Sequence, residues 1–298
     1  MSFDRALMNH LYDRERDGFA GDTIVRSMRL LLLIHLAAGH LVRHGTWAND
    51  LSQSWRAVTM GTALVVCIAT FRTRWQRLAL LIALPLQLYQ VYEKFPAVAN
   101  HLWVETLLLL ALLLVAESDD DNVLYRQFAC WLAVIVFFYS GLQKFWYGTY
   151  FDGQYLATKI ALFEHYRVFF AWFVPAEDIA RLQSYAPLYA GAGPFRIESL
   201  SYLIVVNLVW ITEIVAALLL LFRRTRFWGL VFGLLVILGI ELVAREVFFG
   251  VLYVAVCLAF LRRDGVRWLI PAAAALYVYL ILTTIEAFDW LPTPVFYP

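Results

Sequence analysis

The chain has 298 residues, 62% of them hydrophobic and only 16% charged, with a formal net charge of +1. A soluble domain is nearer half apolar and a quarter charged, so this is the composition of an integral membrane protein. The near-neutral balance argues against nucleic acid as a partner.

In chain order, the first stretch, "MSFDRALMNHLYDRERDGFAGDTIV", is polar and mixed in charge. It reads as a cytoplasmic N-terminal segment over residues 1–24 and not as a cleavable signal peptide. Residues 25–288 then read as a single transmembrane domain. It is an all-α polytopic helix bundle with about nine spans, given that some 20 mainly apolar residues cross a bilayer. The spans fall at 25–43, 57–72, 76–93, 101–116, 124–144, 199–222, 226–245, 247–262 and 267–288. The basic loops "RTRWQR" (72–77), "RRTR" (223–226) and "RRDGVR" (262–267) all lie on one side in this arrangement. Positive loops stay cytoplasmic, so the N-terminus is expected inside the cell membrane. The tail 289–298 is then outside.

The outer side also receives the long segment Phe145 to Glu198. Within it, "TKIALFEHYRVFFAWFV" mixes charges and aromatics at helical spacing and reads as an interfacial helix lying along the bilayer surface. "SYAPLYAGAGPFR" is a Gly- and Pro-rich loop. Cys67, Cys130 and Cys257 sit in apolar runs with neither disulfide nor metal spacing, so no metal is expected.

Several polar residues stand out against this background. His101, preceded by Asn100, opens the fourth span, and Lys144 closes the fifth. Glu241 and Arg245, four apart, end the seventh, and His40 with Arg43 ends the first. Glu213 lies in the middle of the sixth span, where a carboxylate costs several kcal/mol unless paired or protonated. Each has a plain reading beside a functional one. A lysine at a helix end snorkels to headgroups, and Phe145, Trp146 and Tyr147 after it form an aromatic belt. Asn100 caps a helix. Glu241 and Arg245 make a structural ion pair. His35 and His40 are badly placed to share one face and read as making local hydrogen bonds.

Three stretches together resemble a family. "VIVFFYSGLQKFWYGTYFDGQYL" carries an aromatic-rich helix, then Gly141, an aliphatic residue, Lys144 and a short aromatic loop. "VANHLWVETLLLLALLL" places Asn-His at a helix head, and "NLVWITEIVAALLLLFRRTRFWGL" places a Glu before a basic turn. In order and spacing, over roughly residues 25–262, these resemble vitamin K-dependent gamma-glutamyl carboxylase and its bacterial relatives, the horizontally transferred transmembrane domain family.

That resemblance implies an enzyme that oxygenates reduced vitamin K, or a related quinol, and uses the strong base so formed to modify a peptide or small molecule. It implies Lys144 as the base, with His101 catalytic beside it. Asn100, Tyr139, Gly141, Trp146, Glu241 and Arg245 would line the quinone or substrate pocket. Apolar surroundings disfavour the ammonium form and leave an amine able to take a phenolic proton. Two departures bear on the carboxylation half. The carboxylase has a lumenal region that holds its peptide substrate, with no counterpart up to Pro298. The family's His in the helix matching span seven is replaced here by "ILGIELVAR". The alternative reading is a non-catalytic maturation or export partner, or a small-molecule carrier with Glu213 as the working group. A quinone-binding subunit without chemistry of its own is a third. The partners expected are the lipid bilayer and a peptide substrate.

Overall fold

The computed structural model describes residues 21–43, 62, 75–96, 100–114, 119–148, 150–185, 195–244, 246–260, 275 and 278. Among them ten α-helices and one 3₁₀ turn form and no strand does. The helices are α1 (Gly21–Arg43), α2 (Trp75–Lys94), α3 (Asn100–Leu114), α4 (Asp119–Tyr147) and α5 (Gln154–Leu162). They continue as α6 (Glu164–Phe170), α7 (Ala176–Tyr185), α8 (Leu200–Leu221), α9 (Arg226–Ala244) and α10 (Val247–Cys257). The 3₁₀ turn is Leu258–Phe260.

Among the described residues three helical segments are long and apolar enough to cross a membrane: Val123–Tyr147, Leu200–Leu221 and Arg226–Ala244. Shorter apolar stretches are Ser27–Gly39, His101–Leu114 and Phe248–Cys257. The arrangement of about nine spans is therefore carried only in part. At about 1.5 Å per residue, helices of α3 or α10 length fall short of a hydrocarbon core roughly 30 Å thick. In α2, Arg77, Gln87, Gln90, Glu93 and Lys94 dilute the apolar run and Pro85 interrupts its hydrogen bonding. The expected spans at 57–72 and 267–288 lie outside the described residues, apart from positions 62, 275 and 278.

The helices group into two units, one made of residues up to 132 and from 247 onward, the other of residues 133–246. In the first unit α2 and α3 form a hairpin, and α1 packs on α3 and α10. Its core includes Leu32, Leu36, Leu80, Leu109 and Leu252. The buried Arg126 donates from Nε to the Ala259 carbonyl at 2.6 Å, which satisfies a carbonyl at the end of the α10 segment. Cys130 and Cys257 are buried.

In the second unit α8 and α9 form the principal hairpin. Gly229 lets them close: a Cβ there would fall 2.7 Å from the Leu220 nitrogen. The turn between them is held by Thr225, whose hydroxyl donates to the Leu219 carbonyl at 2.9 Å. Where one interfacial helix is expected, the chain instead makes α5 and α6, parted at Phe163, whose backbone is extended (φ −122°, ψ 129°). Arg167 explains the break. Its guanidinium reaches back to the Ala161 carbonyl at 3.2 Å, satisfying the open end of α5. The segment between α4 and α8 also has a core of its own. Leu156, Ile160, Tyr166, Phe170, Leu182, Phe195 and Ile197 bury against Tyr202 and Val206 near the start of α8. It is a small folded cap.

Candidate functional site

The second unit brings two of the singled-out residues together. Gly141 and Lys144 are three apart on α4 and so share a face. Against Gly141, α8 comes so close that an added Cβ would lie 2.7 Å from Ile214 Cγ1, 2.8 Å from the Trp210 carbonyl oxygen and 3.2 Å from Glu213 Cβ. The glycine is thus the point where the helices meet, and the next turn of α4 puts the Lys144 amine on the Glu213 carboxylate. Lys144 also donates to the Ser140 hydroxyl at 3.1 Å. The Lys144 side chain is 17% exposed and that of Glu213 2%. The second carboxylate oxygen, Glu213 Oε2, has no hydrogen-bond partner among the described residues.

Aromatic rings stand near the pair in sequence, on α4, on the loop after it and on α8. Phe145, Phe151 and Trp210 form a mutual cluster with all three centroid separations at 5.3 Å. The Trp210 indole donates to Asn207 at 2.9 Å, and Asn207 donates to the Phe151 carbonyl at 3.2 Å, which ties the loop after α4 to α8. On another side the Lys144 ammonium lies 5.5 Å from the centre of the Tyr150 ring. Burial pushes the Tyr150 phenol well above its ordinary range, helped by neighbouring Tyr155 and the carboxylates Glu213 and Glu246, so it stays neutral.

The chain has only three lysines among its 24 basic residues, Lys94, Lys144 and Lys159. Two of them meet this one set of carboxylates and tyrosines. An ammonium suits the place: compact and on a flexible stem, where a guanidinium would present a broad planar fork.

The other singled-out residues are distributed differently. Tyr139 is 58% and Trp146 79% exposed, so both rings lie on the outside of α4. Glu241 is half-buried on α9, and Arg245 lies outside the described residues. Asn100 and His101 form the first turn of α3 in the first unit. The side chains of Asn100, His40 and Arg43 lie outside the described ones.

A second polar cluster occupies the first unit. His35 Nε2 is 2.8 Å from Glu105 Oε1. The Gln87 amide donates to Glu105 Oε2 at 2.7 Å and, at 3.4 Å, to the Leu102 carbonyl. His35, Glu105 and Gln87 are 2%, 1% and 0% exposed, one from each of three helices. The expectation of local hydrogen bonds for His35 is thereby corrected, since its partner is 70 residues away. Glu105 and Gln87 were not among the expected site residues, although the rule that singled out Glu213, a carboxylate inside an apolar run, applies equally to Glu105. His35 also borders an apolar cleft with Leu31, Leu108, Tyr125 and Leu252.

Comparison with protein-family models, with curated proteins and with solved structures finds no match to this chain.

Proposed function

We propose that this chain is an integral membrane enzyme of the carboxylase-like kind, in which Lys144 and Glu213 act as one proton-transfer centre on a lipid-soluble quinol. One observation carries the reading. A carboxylate buried in an apolar helix pairs with a lysine through one oxygen, and its other oxygen, Oε2, has no hydrogen-bond partner among the described residues.

A buried carboxylate beside an ammonium has two neutral arrangements, ammonium with carboxylate or amine with carboxylic acid. A low-dielectric setting brings them closer in energy than water does, because separated charges lose solvation there. Glu213 Oε2 is the atom placed to accept a proton from an incoming hydroxyl. Lys144 Nζ remains to balance the negative charge left behind. Ser140 keeps the amine oriented. The Phe145, Phe151 and Trp210 rings supply the apolar, aromatic walls that suit a planar ligand from the bilayer. When bound, a reduced vitamin K or related quinol would bring the phenolic proton and the electrons for oxygen, the net change being quinol plus O₂ to epoxide plus water.

In this reading about nine spans set the N-terminus in the cytoplasm and the site at the outer face. The outer cap rests at the interface, and a peptide or small molecule is the final acceptor. Glu241, half-buried on α9 of the same unit, keeps the role of a pocket wall. A second reading is supported by the closure of the pair itself, since Lys144 is engaged on both sides by Glu213 and Ser140. Under it the pair is structural, and the protein is a non-catalytic partner or carrier.

The test is oxygen-dependent formation of quinone epoxide by purified protein in nanodiscs given reduced naphthoquinone, followed by mass spectrometry. The proposal expects epoxide from the wild type and none from Lys144→Ala or Glu213→Gln. Folded wild-type protein that yields no epoxide overturns it in favour of the structural pair.

A further inference from the structure

Between Lys144 and Lys159 the second unit contains an unbroken stack of cations and rings. The Lys144 ammonium is 5.5 Å from the Tyr150 ring centre, Tyr150 stacks on Tyr155 at 5.1 Å with 23° between planes, and Lys159 is 5.4 Å from Tyr155. Lys159 is also 5.2 Å from Phe163. Each ammonium faces the electron-rich side of one ring of the pair.

The loop that makes this stack is built to do so. Gly148 and Gly153 both adopt left-handed backbone (φ 71° and 69°), a conformation that glycine takes without strain. The Phe151 amide donates to the Gly148 carbonyl at 2.9 Å and the Gly153 amide to the Tyr150 carbonyl at 3.2 Å. The Tyr202 hydroxyl donates to the Gly153 carbonyl, and its ring fills the space that a Cβ on Gly153 would need. The loop is therefore fastened to the start of α8, the helix that also carries Glu213. On α4 itself Lys144 has the Ser140 hydroxyl as a partner, one neutral hydrogen bond at 3.1 Å. A lysine near a helix end has a four-carbon stem long enough to swing its charge into the headgroups.

We infer that the Tyr150–Tyr155 pair is a positioning element that roofs Lys144, blocks it from snorkelling to the membrane surface and holds its amine on Glu213. Tyr150 acts through its ring, and Lys159 closes the far side of the stack. The inference deepens the proton-transfer reading of the same site, but it concerns where the amine is held and stands or falls without turnover.

The experiment uses the full chain in nanodiscs and a membrane-impermeant acylating reagent for primary amines. The rate of labelling at each of the three lysines is read by peptide mass spectrometry, across pH. Lys144 of the wild type is expected to label more slowly than Lys94. Tyr150→Leu is expected to speed Lys144 labelling about fivefold, the scale of a lost cation–ring contact. Tyr150→Phe, which keeps the ring, is expected to restore wild-type behaviour. Lys159→Gln and Tyr155→Leu, which leave the loop glycines and Tyr202 untouched, are expected to give intermediate rates, and they carry the test if Tyr150→Leu does not fold. Equal Lys144 rates in the wild type, Tyr150→Leu and Tyr155→Leu overturn the inference. So does a Tyr150→Phe protein as reactive as Tyr150→Leu, which would assign the effect to the hydroxyl. A protein that makes no epoxide yet shows the expected labelling pattern loses the proposed activity and keeps the roof.

Discussion

Lys144 near the end of α4 and Glu213 within α8, 69 residues apart in sequence, form one ion pair with Glu213 almost wholly buried. Read from sequence, the two are rival candidates, a base for an enzyme and a carboxylate for a carrier. Paired, they share whatever role either has, and a loss of function at one no longer separates those readings.

Removing either partner should strand the other charge. Lys144→Ala is expected to destabilise the folded protein by about 3 kcal/mol, the usual scale for breaking a buried pair. The double variant Lys144→Ala with Glu213→Gln should lose less than the sum of the singles, because no buried charge is left. Thermal or steric-trap unfolding of the four proteins in one detergent checks this. Additive losses would mean that the two groups do not interact in the membrane.

Gly141 makes the pair possible, so its replacement should act at a distance. With an added Cβ 2.8 Å from the Trp210 carbonyl oxygen, a backbone atom that cannot rotate aside, Gly141→Ala has to push α4 from α8. A loss of roughly 1–3 kcal/mol is expected, together with faster labelling of Lys144. Unchanged labelling in a folded Gly141→Ala protein would sever the link between the helix approach and the pair.

Trp146 offers the opposite expectation. At 79% exposed, it has the character of a belt residue. Trp146→Ala should leave epoxide formation and Lys144 labelling near wild type and change mainly the insertion or depth of the protein, read by fluorescence quenching with brominated lipids. A catalytic defect equal to that of Lys144→Ala would put the ring in the pocket instead.

Glu105 should prove a stability residue for the first unit. Glu105→Ala leaves the His35 ring nitrogen and the Gln87 amide without their observed acceptor in an apolar core. Removing a buried hydrogen-bond acceptor costs about 1–3 kcal/mol, the loss expected for Glu105→Ala. Glu105→Gln keeps an acceptor and should lose less. A fall in melting temperature for Glu105→Ala that Glu105→Gln matches in full would show that charge, and not hydrogen bonding, holds the cluster.

The sequence announced helices, a membrane and the residues Lys144 and Glu213, because apolar runs and isolated charges are local signals. Helix ends were legible to within a few residues where the run was long, as for 199–222 against Leu200–Leu221. Span count was less so, since run length alone does not reveal that Gln87 and Gln90 turn inward on α2. Partnerships were not legible at all. That His35 meets Glu105, or that Lys144 meets Glu213, depends on which helix faces which, and a single sequence carries no record of that. The break at Phe163 was hidden for a similar reason. Helical periodicity runs through it, and the extended backbone at Phe163 and the reach of Arg167 to the Ala161 carbonyl are seen only in the folded chain.

The most direct test of the central claim, that Lys144 and Glu213 work as one unit, is a rate cycle. Epoxide formation is measured for the wild type, Lys144→Met, Glu213→Gln and the double variant, all in nanodiscs and all shown to be folded. Groups that act together give strongly non-additive losses. The account predicts that each single variant loses nearly all activity and that the double is no slower than the slower single. Losses that multiply, or a Glu213→Gln protein with the wild-type rate, would contradict it and leave Glu213 as a structural counter-ion.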